Sequence, residues 1–140
     1  MQIDQSGIDF IKGFEGYSAA VYNDVAGKPT VGYGHLIEDG ESFPQGVTEE
    51  WAERLLASDL SVFDLYVSIH FPQANQNQHN ALVSFAYNLG IGSLKTMTAH
   101  GWDQIPQQML RWDVAGGQHV PGLTRRRQAE AALFGSGLNY

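Results

Sequence analysis

The strongest constraint on the fold is a change of period near the start of the chain. From Ala19 to Ile37 the sequence "AAVYNDVAGKPTVGYGHLI" alternates as strands do, around a turn containing Asn23, Asp24, Gly27 and Pro29. On either side, apolar residues recur at helical spacing. Ile8, Ile11 and Phe14 mark a helix with Ser6 as its cap and Asp9 three residues on, stopping at Gly16. Thr48 is placed to cap a second helix, "EEWAERLLASDLSVFDLYVSIH", whose buried stripe reads Trp51, Leu55, Leu60, Phe63 and Val67 before Pro72 ends it. A third helix runs from about Asn75 to Leu89, with Gly90 as terminator. Another follows Asp103, whose first turn tolerates Pro106, and Thr124 caps a last one through Phe134. The expected class is α+β: a small N-terminal β-hairpin or sheet followed by a mostly helical body. Residues 1–140 read as a single domain, with 135–140 as a tail.

Composition narrows the function. A chain of 140 residues with 43% hydrophobic and 16% charged residues can bury a core and is not disordered. No apolar run is long enough to span a bilayer, so membrane insertion is not expected. The start, "MQIDQSGIDFIKGFEG", has neither a basic n-region nor a continuous apolar core, so no secretory signal is visible and export would need another route. The absence of cysteine excludes disulfides and thiol catalysis, and the five histidines show no metal-ligand spacing; neither metal nor cofactor is expected. The net charge is −7. Residues 1–100 hold 12 acids against 4 bases, and the only basic run is Arg125 to Arg127, so a nucleic-acid partner is not expected.

The segment "FEGYSAAVYNDVAGKPTVGYGH" carries few ionisable groups: Glu15, Asp24, Lys28 and His35. It is either a surface hairpin with incidental acids or a cleft built around Glu15, Asp24 and Thr30. Glu15 falls at a helix carboxyl end, where the macrodipole disfavours a negative charge. Read as one strand, residues 30–35 put Thr30, Gly32 and Gly34 on a nearly bare face and Val31, Tyr33 and His35 on the other. Strand glycines of this kind mark places where a ligand approaches the backbone, or simply relieve crowding. Cleaving a glycosidic bond needs one group to protonate the leaving oxygen and another to manage the attacking water, and Glu15 and Asp24 can supply both if the fold brings them together.

The spacing Glu-x8-Asp-x5-Thr, with "FEG" around the glutamate and "TVGYGH" around the threonine, resembles the phage-type lysozymes, glycoside hydrolase family 24. The resemblance extends through "LVSFAYNLGIGSL", "RWDVAGGQHVPGL" and "TRRRQAEAALF", from about Ser6 to Phe134. It departs from the family between Lys95 and Arg111, where the segment is shorter.

The resemblance implies a lysozyme-like fold and a muramidase acting on the β-1,4 bond between N-acetylmuramic acid and N-acetylglucosamine. Glu15 would be the general acid, and Asp24 and Thr30 would position the water, giving inversion. Gly32, Gly34, Tyr87, Asn88 and Arg126 would bind substrate, Arg126 matching the family's arginine that reaches the catalytic glutamate. Arg125 and Arg127 are expected on a solvated helix face, His35 in a structural role and Trp112 in the core. The implied setting is a monomeric phage endolysin or bacteriolytic effector acting on peptidoglycan glycan strands. It would be held in the host cytoplasm before release and reach the periplasm with a separate holin-like permeabilising partner. The competing reading is a non-catalytic, lysozyme-derived wall-binding or scaffolding domain.

Overall fold

The computed structural model describes residues 1–136. The chain divides into two compact units, Ile8–Val62 and Met1–Gly7 together with the chain from Phe63 onward. Three strands form a small antiparallel sheet in the first unit, and the second is mostly helical, as the period change implies.

Helix α1 spans Gln5–Glu15. Its cap is Asp4 and not Ser6: Asp4 Oδ1 accepts from the Gly7 amide at 3.0 Å and from the Ser6 hydroxyl at 2.7 Å. A carboxylate outcompetes a hydroxyl for the free amides at a helix start. The Ser6 bond leads the effects that hold the Asp4 carboxyl below its ordinary value.

The sheet comprises β1 (Ser18–Asn23), β2 (Pro29–Gly32) and β3 (His35–Leu36) in the order β1-β2-β3. The expected single strand through residue 35 is instead folded back, with Thr30 opposite Leu36 and Val31 opposite His35. Positive φ angles of 69° at Gly32 and 81° at Gly34 make the reversal possible.

Helix α2 (Glu49–His70) begins where Thr48 Oγ1 accepts from the Trp51 amide at 3.1 Å. Its buried residues are Ala52, Leu56, Leu60 and Val67. Leu60 and Val67 are buried as expected, but at the start of the helix Ala52 and Leu56 take the places expected for Trp51 and Leu55. Trp51 is exposed and stacks under Arg54, 5.7 Å away, while Leu55 and Phe63 lie at the margin.

In the second unit, α3 (Gln76–Leu89) starts with a reciprocal capping box between Asn75 and Gln78, and its residues 78–86 are all buried. That makes α3 the central helix, against which α4 (Ile91–Thr98) and α6 (Pro121–Gly135) pack. Helix α4 was not legible because Gly90 reads as a stop; the chain stops there and restarts at once, burying Leu94 and Met97. A tight turn, Trp102–Gln104, leads into α5 (Ile105–Met109), with Pro106 in its first turn as expected. The two-residue strands β4 (Val114–Ala115) and β5 (Gln118–His119) form an unanticipated hairpin. Helix α6 starts at Pro121, before Thr124, whose hydroxyl instead donates to Asp113 Oδ2 at 2.7 Å. Gly135 closes α6; of the expected tail, residues 137–140 lie outside the described residues. Among the described residues, no helix is long and apolar enough to cross a membrane.

Candidate active site

Glu15 is the last residue of α1, where the Gly16 amide still donates to the Lys12 carbonyl at 3.1 Å. The helix end leaves the Glu15 side chain half-buried on the wall of a hollow of about 330 Å3, shared with Gly16, Tyr17, Ser18 and Tyr22.

Asp24 opens the turn between β1 and β2. Its Oδ1 accepts from the Ala26 amide at 2.9 Å and the Lys28 amide at 2.8 Å. Its own amide donates to the Lys28 carbonyl at 2.9 Å. Aspartate is favoured here because its short side chain bonds backbone amides a few residues on and closes the turn itself. Thr30 follows on the central strand, buried, with its hydroxyl donating to the same Lys28 carbonyl at 3.0 Å. Both Lys28 backbone groups therefore link the aspartate to the threonine. With its proton engaged, Thr30 Oγ1 is left as an acceptor, the polarity that orients a water by one of its hydrogens.

Glu15, Asp24 and Thr30 thus belong to one compact unit. The bare face expected for Gly32 and Gly34 does not exist, because β2 ends at Gly32. Gly32 is buried, and a Cβ there would stand 3.0 Å from Ala52 Cβ of α2, so packing accounts for this glycine. His35 is structural in its contacts: Nδ1 meets Asp59 Oδ2 and Nε2 meets Glu41 Oε1, each at 2.8 Å.

Tyr87, Asn88 and Arg126 belong to the other unit. Tyr87 packs edge-on against Phe63, ring centres 5.8 Å apart. Arg126 is buried on α6, its guanidinium 3.3 Å from Glu130 Oε2 and from the Ser84 carbonyl and hydroxyl. Arg127 is fully buried, which overturns the solvated face expected for it; Arg125 alone of the three is exposed. Arg127 Nη2 donates to Asn88 Oδ1 at 2.7 Å, and Arg127 Nε lies 2.7 Å from Glu130 Oε1. That last contact is an ion pair without the angle of a hydrogen bond. Burial pushes the Glu130 carboxyl up from its ordinary value, against the pull of Arg127, Ser84 and Arg126. Sequence reading missed Glu130, although its spacing of three and four from the two arginines was a signal. Trp112 packs edge-on to Phe85 at 5.9 Å, partly buried. Among the described residues no cluster of histidine and acid side chains could hold a metal ion.

A small antiparallel sheet followed in sequence by a mostly helical body, with a glutamate closing the first helix ahead of an aspartate and a threonine, defines a lysozyme-like α+β fold. The sequence matches the phage lysozyme family over residues 12–130, and the chain belongs to that family. It is 38% identical over 146 residues to the endolysin of Bacillus phage B103, covering 98% of this chain and 55% of that relative. It is 37% identical over 144 residues to the endolysin of Salmonella phage P22, covering 96% of this chain and 98% of that relative. An endolysin structure from Escherichia coli O157:H7 phage FAHEc1 shares 35% identity at a TM-score of 0.79, with 96% of this chain and 93% of that one covered. The chain spans little more than half the length of the Bacillus phage relative.

Proposed function

We propose that the chain is an inverting muramidase that hydrolyses the β-1,4 bond between N-acetylmuramic acid and N-acetylglucosamine in peptidoglycan. The observation that carries this reading is the Asp24–Lys28–Thr30 linkage in the same unit as Glu15, within a member of a family whose relatives are named endolysins. Glu15, protonated, gives its proton to the glycosidic oxygen as the bond to the anomeric carbon breaks. A water accepted by Thr30 Oγ1 through one hydrogen attacks that carbon from the opposite face and loses its other proton to Asp24. Glu15 is left ionised and Asp24 protonated, and exchange with solvent restores both. Thr30 is no nucleophile here, because its hydroxyl proton is engaged by the Lys28 carbonyl and not by a base.

Gly32, Gly34, Tyr87, Asn88 and Arg126 are proposed as substrate-binding positions, on the strength of the family motifs that contain them. Residues 1–140 are proposed to act as a single monomeric domain. The proposed setting is phage lysis, with the protein held in the host cytoplasm until a holin-like partner admits it to the periplasm. The test is digestion of purified peptidoglycan with proton NMR of the first product. The α-anomer is expected; an initial β-anomer would mean double displacement. Wall binding without cleavage would instead identify a non-catalytic domain.

A further inference from the structure

Asn88 stands in the last turn of α3, and its side-chain amide is fixed by α6. Arg127 Nη2 donates to Asn88 Oδ1 at 2.7 Å. A guanidinium carries donors and no acceptor, so the oxygen of the amide, and not its nitrogen, must face it. Arg127 is in turn held from several sides. Its Nε lies against Glu130 Oε1, its Nη1 donates to the Trp112 carbonyl at 3.4 Å, and it packs over the Phe85 ring, 5.0 Å from the centre. Both Arg127 and Glu130 are fully buried. A guanidinium gripped in this way cannot turn to let the Asn88 amide flip.

The same bond decides what Asn88 shows to the outside. The residue is half-buried, and its Nδ2 makes no hydrogen bond among the described residues. The buried side-chain polar atoms without a partner there are Arg127 Nε and Glu130 Oε1, so Asn88 Nδ2 is open to solvent. Asn88 therefore offers two N–H donors, and no acceptor, near the end of α3. Position limits the charge of what they meet. The carboxyl end of a helix carries the negative pole of its dipole, which disfavours a carboxylate. The Arg127 cation behind the amide is already opposed by Glu130. A neutral carbonyl suits this spot better than an anion.

We propose that Arg127 is a positioning residue, which fixes the Asn88 amide so that its donors meet a neutral amide carbonyl of the peptidoglycan substrate. The inference rests on the reading of Asn88 as a substrate-binding residue and deepens it. Arg127 acts through Asn88 and does not itself touch the substrate. Peptidoglycan offers such carbonyls from two sources, the acetamido groups of its sugars and the amides of its peptides. Selectivity follows from the fixed polarity. A ligand without the acceptor strips water from the Asn88 N–H groups and gives no bond in return. An amide turned the other way would set its oxygen against the carbonyl and repel it.

The experiment combines NMR of the Asn88 side-chain amide with steady-state kinetics on isolated walls. Without ligand, the Arg127 Nη2 protons are expected to exchange slowly and the Asn88 Nδ2 protons rapidly; the reverse order would overturn the assigned orientation. The Asn88 Nδ2 resonances are expected to shift saturably with tri-N-acetylchitotriose or with L-alanyl-D-isoglutamine, and the probe that moves them names the source of the carbonyl. Resonances moved by neither, in a protein that cleaves walls, would sink the inference and leave the muramidase reading intact. Movement in a protein that cleaves no walls would sink the muramidase reading and leave a carbonyl-binding site. Asn88→Asp keeps an acceptor for Arg127 and loses both donors, so it separates recognition from structure. Its melting temperature is expected to be unchanged, with KM raised by about fivefold or more and kcat changed less, the scale of one lost hydrogen bond. An unchanged KM would mean that the amide serves only the fold. Arg127→Lys keeps the charge against Glu130 but not the fork, and is expected to raise KM by a similar factor through an Asn88 free to turn. An unchanged KM in a folded Arg127→Lys would overturn the positioning role. Should that variant fail to fold, the exchange rates and Asn88→Asp decide the matter.

Discussion

Asp24 and Thr30 are held by opposite ends of one residue: the Lys28 amide donates to Asp24 Oδ1, and the Lys28 carbonyl accepts from the Thr30 hydroxyl. The carbonyl also accepts from the Asp24 amide, so its capacity is used. The threonine hydroxyl is locked as an acceptor toward any water, and the aspartate is locked relative to it. Thr30→Val keeps the shape and removes that acceptor. Lytic turnover is expected to fall by about two orders of magnitude or more, for a loss of only about 0.5–1.5 kcal/mol of stability with the Lys28 bond. Thr30→Ser should keep much of the activity. Turbidity loss of permeabilised cells, paired with urea unfolding, separates the two effects.

Glu15→Gln keeps the volume and hydrogen-bonding capacity at the end of α1 and removes the transferable proton. A fall of at least about a hundredfold in lytic rate is expected, the usual scale for general acid catalysis, with binding of chitin fragments retained. Near wild-type lysis by this variant would mean that another group protonates the leaving oxygen.

Gly46 has φ of 74°, and a Cβ there would overlap the Ala19 carbonyl oxygen, backbone that cannot swing aside. This contact is where the loop before α2 meets the bulge in β1 between Ser18 and Tyr22. Gly46→Ala is therefore expected to destabilise the protein by about 1–3 kcal/mol and to loosen the hollow beside Glu15. A melting temperature equal to that of the wild type would show that the loop adapts at no cost.

Glu130 is buried with Arg126, Arg127 and Ser84, whose hydroxyl donates to Glu130 Oε2 at 2.5 Å. Glu130→Ala removes the carboxylate that both buried guanidinium groups face. The expected loss is about 3–5 kcal/mol, the scale for breaking a buried pair from one side. Urea denaturation reads it directly, and a loss below 1 kcal/mol would indicate that water enters to replace the carboxylate.

His35 makes stability depend on pH. Burial works to lower its pKa, but the hydrogen bonds to Asp59 and Glu41 outweigh it, and the imidazole is held above its ordinary value of 6.5. Both ring nitrogens face carboxylate oxygens, the arrangement of an imidazolium. Burial dominates at Asp59, raising its carboxyl even beside the imidazolium, whereas the Glu38 amide and His35 lower Glu41. A histidine raised on folding contributes stability that is complete below the unfolded value and is lost as pH rises through the folded value. The melting temperature is expected to fall as pH is raised from about 6.5 upward, and His35→Asn should flatten that slope and lower stability most at the acidic end. A wild-type slope that persists in His35→Asn would place the titrating group elsewhere.

Several features were readable because their causes are local. Thr48 caps α2, Asn75 caps α3, and α1 stops at Glu15 before a glycine, each through contacts within a few residues along the chain. The spacing of Glu15, Asp24 and Thr30 was likewise on the page, and so was the order of a small sheet before helices. Even locally, the rivalry of Asp4 and Ser6 for the same amides was settled by charge, which spacing does not weigh.

Other features depend on neighbours distant in sequence. Which helical stripe of α2 is buried was decided by partners such as Gly32, whose backbone approaches Ala52; hydrophobicity alone pointed to Trp51. Arg127 reads as a surface charge until α6 packs on α3, where Asn88, 39 residues away, and the neighbouring Glu130 compensate its burial. The reversal after Gly32 was hidden because glycine permits both a continuing strand and a turn, and period alone cannot choose between them. Tyr22 looked like any strand tyrosine; only the bulge in β1 aims it at the hollow that holds Glu15. The chemistry available to this chain was set by residue types and their spacing. The side chains that surround it were selected by tertiary packing, because burial, charge compensation and close backbone approach depend on which distant segments meet.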